Sequence, residues 1–145
     1  MKKSEAELAA SEGADELEMV PNFFALHQGK TDLFTEELSE ICAIGLPTRI
    51  IIDMRRLPSE TLALTVEACI DAGARGIQTG SGFGQAITQD QIVQLNALTK
   101  GRCSIKAVGG ITSCDRVFEL ITAGGSEIGT TVGPEIMKEF RRNKQ

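Results

Sequence analysis

Apolar residues in this chain alternate between two arrangements. Spaced sets recur at helical intervals: Phe34, Leu38, Ile41 and Cys42 in one stretch, Leu62, Val66, Cys69 and Ile70 in the next. Between them stand short apolar runs such as Ile50-Ile51-Ile52. The first pattern places one apolar face on a helix, and the second marks a buried strand. Helices are predicted over Lys2 to Glu12, Thr31 to Ala43, Ser59 to Ala72, Thr88 to Thr99, Ser113 to Ala123 and Pro134 to Arg141. Thr88 and Gln91 have the spacing of a capping box. Strands are predicted over Asp15 to Pro21, Arg49 to Met54, residues 75–79, Cys103 to Val108 and Glu127 to Thr130. Glycines 13, 45, 73, 101 and 124 each follow a helical stretch, where a helix turns left-handed to stop. Their spacing of roughly 23–32 residues is the size of a β-α unit. The whole pattern predicts an α/β fold in one domain, residues 1–145, with five parallel strands covered by helices. An open, doubly wound sheet and a (β/α) barrel both fit it.

Composition narrows the function. The chain has 145 residues, 41% hydrophobic and 24% charged, with a net charge of −5 and dispersed basic residues. That speaks against a nucleic-acid or membrane-surface binder and leaves room for a local anion pocket. No apolar run nears the roughly 20 residues of a membrane span, and the first residues lack an apolar signal core, so a cytoplasmic protein is expected. Cys42, Cys69, Cys103 and Cys114 lack C-x-x-C spacing and read as reduced, mostly buried thiols. His27 stands without ligand-spaced partners and reads as a loop residue with no metal role.

Four segments carry chemistry-bearing residues at strand ends. They are Gly13-Ala14-Asp15-Glu16-Leu17-Glu18-Met19-Val20, Arg49-Ile50-Ile51-Ile52-Asp53, Ile77-Gln78-Thr79-Gly80-Ser81-Gly82-Phe83, and Ile105-Lys106-Ala107-Val108-Gly109-Gly110-Ile111. Together they resemble the deoxyribose-phosphate aldolase family, a class I (Schiff-base) aldolase barrel. The resemblance implies a parallel (β/α) barrel of TIM type, here with five strands and without the family's first three β-α units. On that reading the chain is a truncated form. Two open sheet edges and uncovered apolar strand faces would then favour a homo-oligomer. The family's Gly-Ala-Asp-Glu-x-Asp-x-Val strand places its proton-relay aspartate on Glu18. Its Lys-Val-Ile-x-Glu strand places a third barrel lysine on Arg49 and an acidic residue on Asp53. Arginine acts there only as a fixed cation, and an ion pair with Glu18 is expected. Its second lysine, which tunes the first, matches Lys106. Its Schiff-base lysine falls on Gln78, whose amide nitrogen is delocalised into the carbonyl and forms no imine.

The remaining candidates are the loops Val108-Gly109-Gly110-Ile111 and Gly129-Thr130-Thr131-Val132-Gly133-Pro134. Gly109, Gly110, Thr130 and Thr131 are read as a phosphate cradle, because barrel enzymes often hold phosphate at this pair of loops. Tight β-α turns would need the same glycines without any ligand. The resemblance implies cleavage of 2-deoxyribose 5-phosphate to glyceraldehyde 3-phosphate and acetaldehyde, with no metal or organic cofactor. Its partner would be a small phosphorylated aldehyde or sugar. Gln78 supports a second reading, a non-catalytic relative that keeps the fold and the phosphate cradle.

Overall fold

The computed structural model describes residues 1–143. Five parallel strands form one sheet: β1 (Leu17–Met19), β2 (Thr48–Ile51), β3 (Gly76–Gln78), β4 (Ser104–Val108) and β5 (Glu127–Gly129). Their spatial order equals their order in the chain. A doubly wound sheet would reverse that order at a switch point and place helices on both faces. Here the helices α1 (Lys2–Ser11), α3 (Thr31–Cys42), α4 (Ser59–Asp71), α5 (Gln89–Thr99), α6 (Cys114–Thr122) and α7 (Gly133–Asn143) pack in sequence along one face. That is the winding of a (β/α) barrel wall.

The boundaries follow local chemistry. The capping box is present: Thr88 accepts from the Gln91 amide at 3.2 Å, and Gln91 Oε1 accepts from the Thr88 amide at 2.9 Å. Ser113 caps α6 through the Arg116 amide. The five helix-stop glycines all lie at positive φ, from +74° to +120°. A short helix, α2 (Phe23–His27), lies where a loop was expected. Asn22 starts it by accepting from the Ala25 amide at 3.2 Å. Five residues are too few to show helical periodicity, so His27 ends a helix instead of lying in a loop.

The strands alternate in register with the two environments. Leu17, Met19, Ile50, Ile52, Ile77, Ile105 and Ala107 point into the helix layer and are buried. Burying each large one fully is worth about 1.5–3 kcal/mol. The opposite side carries Glu18, Arg49, Gln78, Ser104, Lys106 and Glu127, by the two-residue period. The expectation of uncovered apolar strand faces is therefore corrected. Among the described residues the face without helices is chiefly charged and polar, with Ile51 and Val108 half-buried among those groups. Ile50-Ile51-Ile52 stays apolar on both faces, whereas in β3 and β4 Gln78 and Lys106 interrupt the apolar residues. The edges are as expected: among the described residues β1 and β5 each lack a neighbouring strand on one side. No described helix is long and apolar enough to cross a membrane.

All four cysteines are free; Cys69 and Cys114 are buried, and Cys42 and Cys103 half-buried. Burial pushes the Cys69 thiol up to about 12, which keeps it a thiol.

Candidate active site

The site is built on the row of polar residues. In register, Glu18 pairs with Arg49, Arg49 with Gly76, and Gly76 with Ser104. One step toward the strand ends, Gln78 pairs with Lys106 and Lys106 with Glu127.

Arg49 organises the lower row. It is almost fully buried, with 3% of its side chain exposed. Its Nη1 contacts Glu16 and Glu18, the latter at 3.2 Å. Its Nη2 donates to both carboxylate oxygens of Glu127, at 2.6 and 2.8 Å. Glu127 is three strands away, so the guanidinium must cross β3 and β4. Gly76 and Ser104 leave the room. A Cβ at Gly76 would collide with Ser104 Oγ and stand 3.2 Å from Arg49 Nε. The expected Arg49–Glu18 pair is present. Glu16 and Glu127 were not anticipated. Glu16 was legible, since it shares a strand face with Glu18; Glu127 required the sheet's curvature.

Lys106 stands in the upper row, and its Nζ contacts Glu18 Oε1 at 2.6 Å. Glu18 thus links the two cations. Burial pushes its carboxyl up. The hydrogen bonds and charges of Lys106, then Arg49, outweigh this and hold it below the ordinary glutamate range.

Gln78 closes β3 and is 6% exposed. Its Nε2 donates to Gly80 O at 2.8 Å. Its Oε1 is buried without a hydrogen-bond partner among the described residues. Beyond it, Thr79 ties β3 to β4. Its hydroxyl donates to Val108 O and accepts from the Val108 amide, both at 3.0 Å.

These groups meet at the C-terminal ends of β3, β4 and β5, around an open pocket of about 380 Å³. Glu18, Gln78, Lys106, Gly109, Gly110, Thr130 and Thr131 all line it. The Thr130 hydroxyl is committed to the turn: it donates to Ile111 O at 2.6 Å and accepts from the Val132 amide at 3.2 Å. Gly110 sits at φ +63°, and a Cβ there would press on Ala86 Cβ at 2.6 Å. The glycine is therefore required by the turn whether or not a ligand binds.

Asp53 is not brought to this pocket. It follows β2, where the backbone amide and Nε of Arg55 hold it at 3.2 and 3.0 Å, and Arg56 lies at 3.3 Å. The hydrogen bond from Arg55 outweighs burial and lowers its carboxyl. It lines a neighbouring pocket of about 530 Å³ with Phe23, His27 and Phe83. The matching residue type was visible in the sequence, but the arginines that capture it lie outside the compared strand. No cluster of three or more His, Cys, Asp or Glu among the described residues could hold a metal ion.

Known proteins resemble this arrangement closely. No family model matches the chain. The deoxyribose-phosphate aldolase of Aquifex aeolicus is 36% identical over 143 residues, 97% of this chain and 65% of that protein. The one from Crocosphaera subtropica is 34% identical over 139 residues, 95% of this chain and 63% of that protein. Among solved structures, the aldolase QR15 superposes with a TM-score of 0.93 at 35% identity, covering 99% of this chain and 66% of that one. A deoxyribose phosphate aldolase from Aeropyrum pernix, described as tetrameric, gives 0.84 at 26% identity, covering 97% and 61%. The chain spans less than two thirds of the length of these relatives.

Proposed function

Because the chain belongs to the deoxyribose-phosphate aldolase family, we propose that its pocket binds a small phosphorylated sugar or aldehyde and does not form the family's Schiff base. The observation that carries this reading is Gln78. It occupies the place that the sequence resemblance gives to the imine-forming lysine, and it lines the same pocket as Lys106 and Glu18. An amide there holds a ligand by hydrogen bonds but cannot attack a carbonyl. Lys106 is a primary amine, but its Nζ is engaged by Glu18 at 2.6 Å. Imine formation needs a free lone pair, which that contact opposes. Gly110 and Thr131 also line the pocket, on two loops that follow neighbouring strands, and loop amides at such strand ends are suited to a phosphate. The family's full cleavage of 2-deoxyribose 5-phosphate would need an amine that residue 78 does not supply.

Two measurements test this. Titration with 2-deoxyribose 5-phosphate should move the Gly110 and Thr131 amide resonances first. Shifts confined to other parts of the chain would remove the phosphate cradle. Borohydride reduction in the presence of acetaldehyde, read by peptide mapping, should leave Lys106 unmodified, while exposed lysines react as any free amine does. An adduct that disappears in Lys106→Met would instead place the Schiff base on Lys106 and make the chain a working aldolase.

The same reading extends to self-association. The uncovered edges of β1 and β5 offer unpaired backbone groups to a second copy. Sedimentation should show a mass that rises with concentration. A monomer at all concentrations would count against pairing through these edges.

A further inference from the structure

Glu18 uses its two carboxylate oxygens unequally. Its hydrogen bonds from Lys106 Nζ, at 2.6 Å, and from Arg49 Nη1, at 3.2 Å, both go to Oε1. Oε2 has no hydrogen bond among the described residues. The side chain that carries it keeps 36% of its surface and lines the pocket of about 380 Å³. Lys106 also has capacity to spare. An ammonium group carries three N–H donors, and Glu18 takes one of them. Lys106 lines the same pocket and keeps 23% of its surface. An open carboxylate oxygen and unused ammonium donors therefore stand side by side in a space that a ligand can enter. Burial pushes the Glu18 carboxyl up, but Lys106 and Arg49 outweigh this, so the group is a carboxylate at neutral pH.

We propose that this pair moves a proton at the carbon next to a ligand's carbonyl, an enolising activity that forms no imine and breaks no carbon–carbon bond. The proposal rests on the phosphate-binding reading above and adds a reaction to it. The ligand class is a small phosphorylated ketone or aldehyde with a hydrogen on that carbon. Glu18 Oε2 takes the proton. The C–H electron pair becomes the new C=C bond, and the carbonyl π pair moves onto oxygen. The spare Lys106 donors stabilise the charge that develops there. The reverse step returns a proton from Glu18 to carbon, so no oxidant, reductant or second substrate is consumed. Gln78 leaves the carbonyl intact, because an amide does not add to it. The contact with Glu18 that opposes attack by the Lys106 nitrogen still leaves its other N–H donors available. The same two side chains thus suit proton transfer better than covalent catalysis.

Dihydroxyacetone phosphate in deuterium oxide tests the inference, because each proton that Glu18 returns is then a deuteron. Proton NMR should show exchange of one of the two hydroxymethyl hydrogens, since a fixed base reaches one face of the carbon. Exchange should fall about 100-fold or more in Glu18→Gln, which removes the base. It should fall similarly in Lys106→Met, which removes the donors. Lys106→Arg keeps a cation that forms no imine and should retain exchange to within about tenfold. Binding of inorganic phosphate, read at the Gly110 and Thr131 amides, shows that each variant is folded. The single-hydrogen exchange is read on the unaltered chain and does not depend on any variant. Binding without exchange, equal exchange of both hydrogens, or exchange that persists in Glu18→Gln would overturn the proton transfer and leave the phosphate cradle standing. Loss of exchange in a Lys106→Arg protein that still binds phosphate would overturn the ammonium role. A borohydride-reducible adduct on Lys106 would show that exchange runs through an imine and would remove the reading without a Schiff base as well. Absence of binding by dihydroxyacetone phosphate and by inorganic phosphate would overturn the cradle, and the proton transfer with it.

Discussion

Arg49→Met is expected to destabilise the fold by roughly 2–4 kcal/mol, read from the urea midpoint at an unchanged slope. Methionine keeps most of the aliphatic stem, so the loss isolates the guanidinium. That group lies among Glu16, Glu18 and Glu127; without it Glu18 keeps Lys106 and Glu16 keeps Arg75, while Glu127 loses the guanidinium that holds both its oxygens. Breaking a fully buried ion pair typically costs about 3–5 kcal/mol. The expectation here is lower because Glu16, Glu18 and Glu127 keep 25%, 36% and 37% of their side-chain surface, and water screens what remains. Acidity adds a second signature. The Glu18 carboxyl is held below its ordinary value of 4.5 in the folded chain. Its contribution is thus present above that value and is lost as pH falls through the lower, folded value. In Arg49→Met the remaining carboxylates repel, and protonating them relieves the repulsion. The gap between the two proteins should be widest at neutral pH and should narrow below the glutamate range. A loss under about 1 kcal/mol, or a gap that does not depend on pH, would mean that Arg49 does not hold this network together.

Gln78→Lys is expected to place a borohydride-reducible acetaldehyde adduct at residue 78, read by peptide mapping, where the original chain forms none. The change is all-or-none in kind, because an amide offers no nucleophilic nitrogen and an amine does. The new amine would stand beside Lys106, its register partner on the next strand, with Arg49 one row below. Two neighbouring cations lower an amine's proton affinity and leave more of it free to attack; Glu18 acts in the opposite direction. Adduct formation should therefore be readily detected by mass. Turnover should stay well below that of a working aldolase, since Glu18 carries one methylene more than the aspartate that the sequence resemblance puts at this place. A misplacement of about an ångström in a positioned proton transfer can lower the rate about 100-fold. A folded Gln78→Lys protein with no adduct at residue 78 would show that more than that residue separates this site from imine chemistry.

The order of elements was legible in the sequence because it is written in local periods. Helical faces such as Phe34, Leu38 and Ile41, the capping pair Thr88 and Gln91, and the glycine stops all act within a few residues of one another. The resemblance of four strand segments placed Glu18, Gln78 and Lys106 in one site, and the structure gathers them around one pocket. Tertiary structure decided the rest. Period alone did not show that one sheet face would be left to polar groups, because that depends on which side the helices cross. It did not show that Arg49 reaches Glu127, because the contact spans two strands and exists only where the sheet curves and Gly76 and Ser104 leave space. Nor did it show that Asp53 is drawn away by Arg55 and Arg56, or that Gln78 keeps one donor satisfied and one acceptor without a partner among the described residues. The chain's local propensities set which residues face together along each strand. The distances that give those residues their chemistry are properties of the curved sheet as a whole.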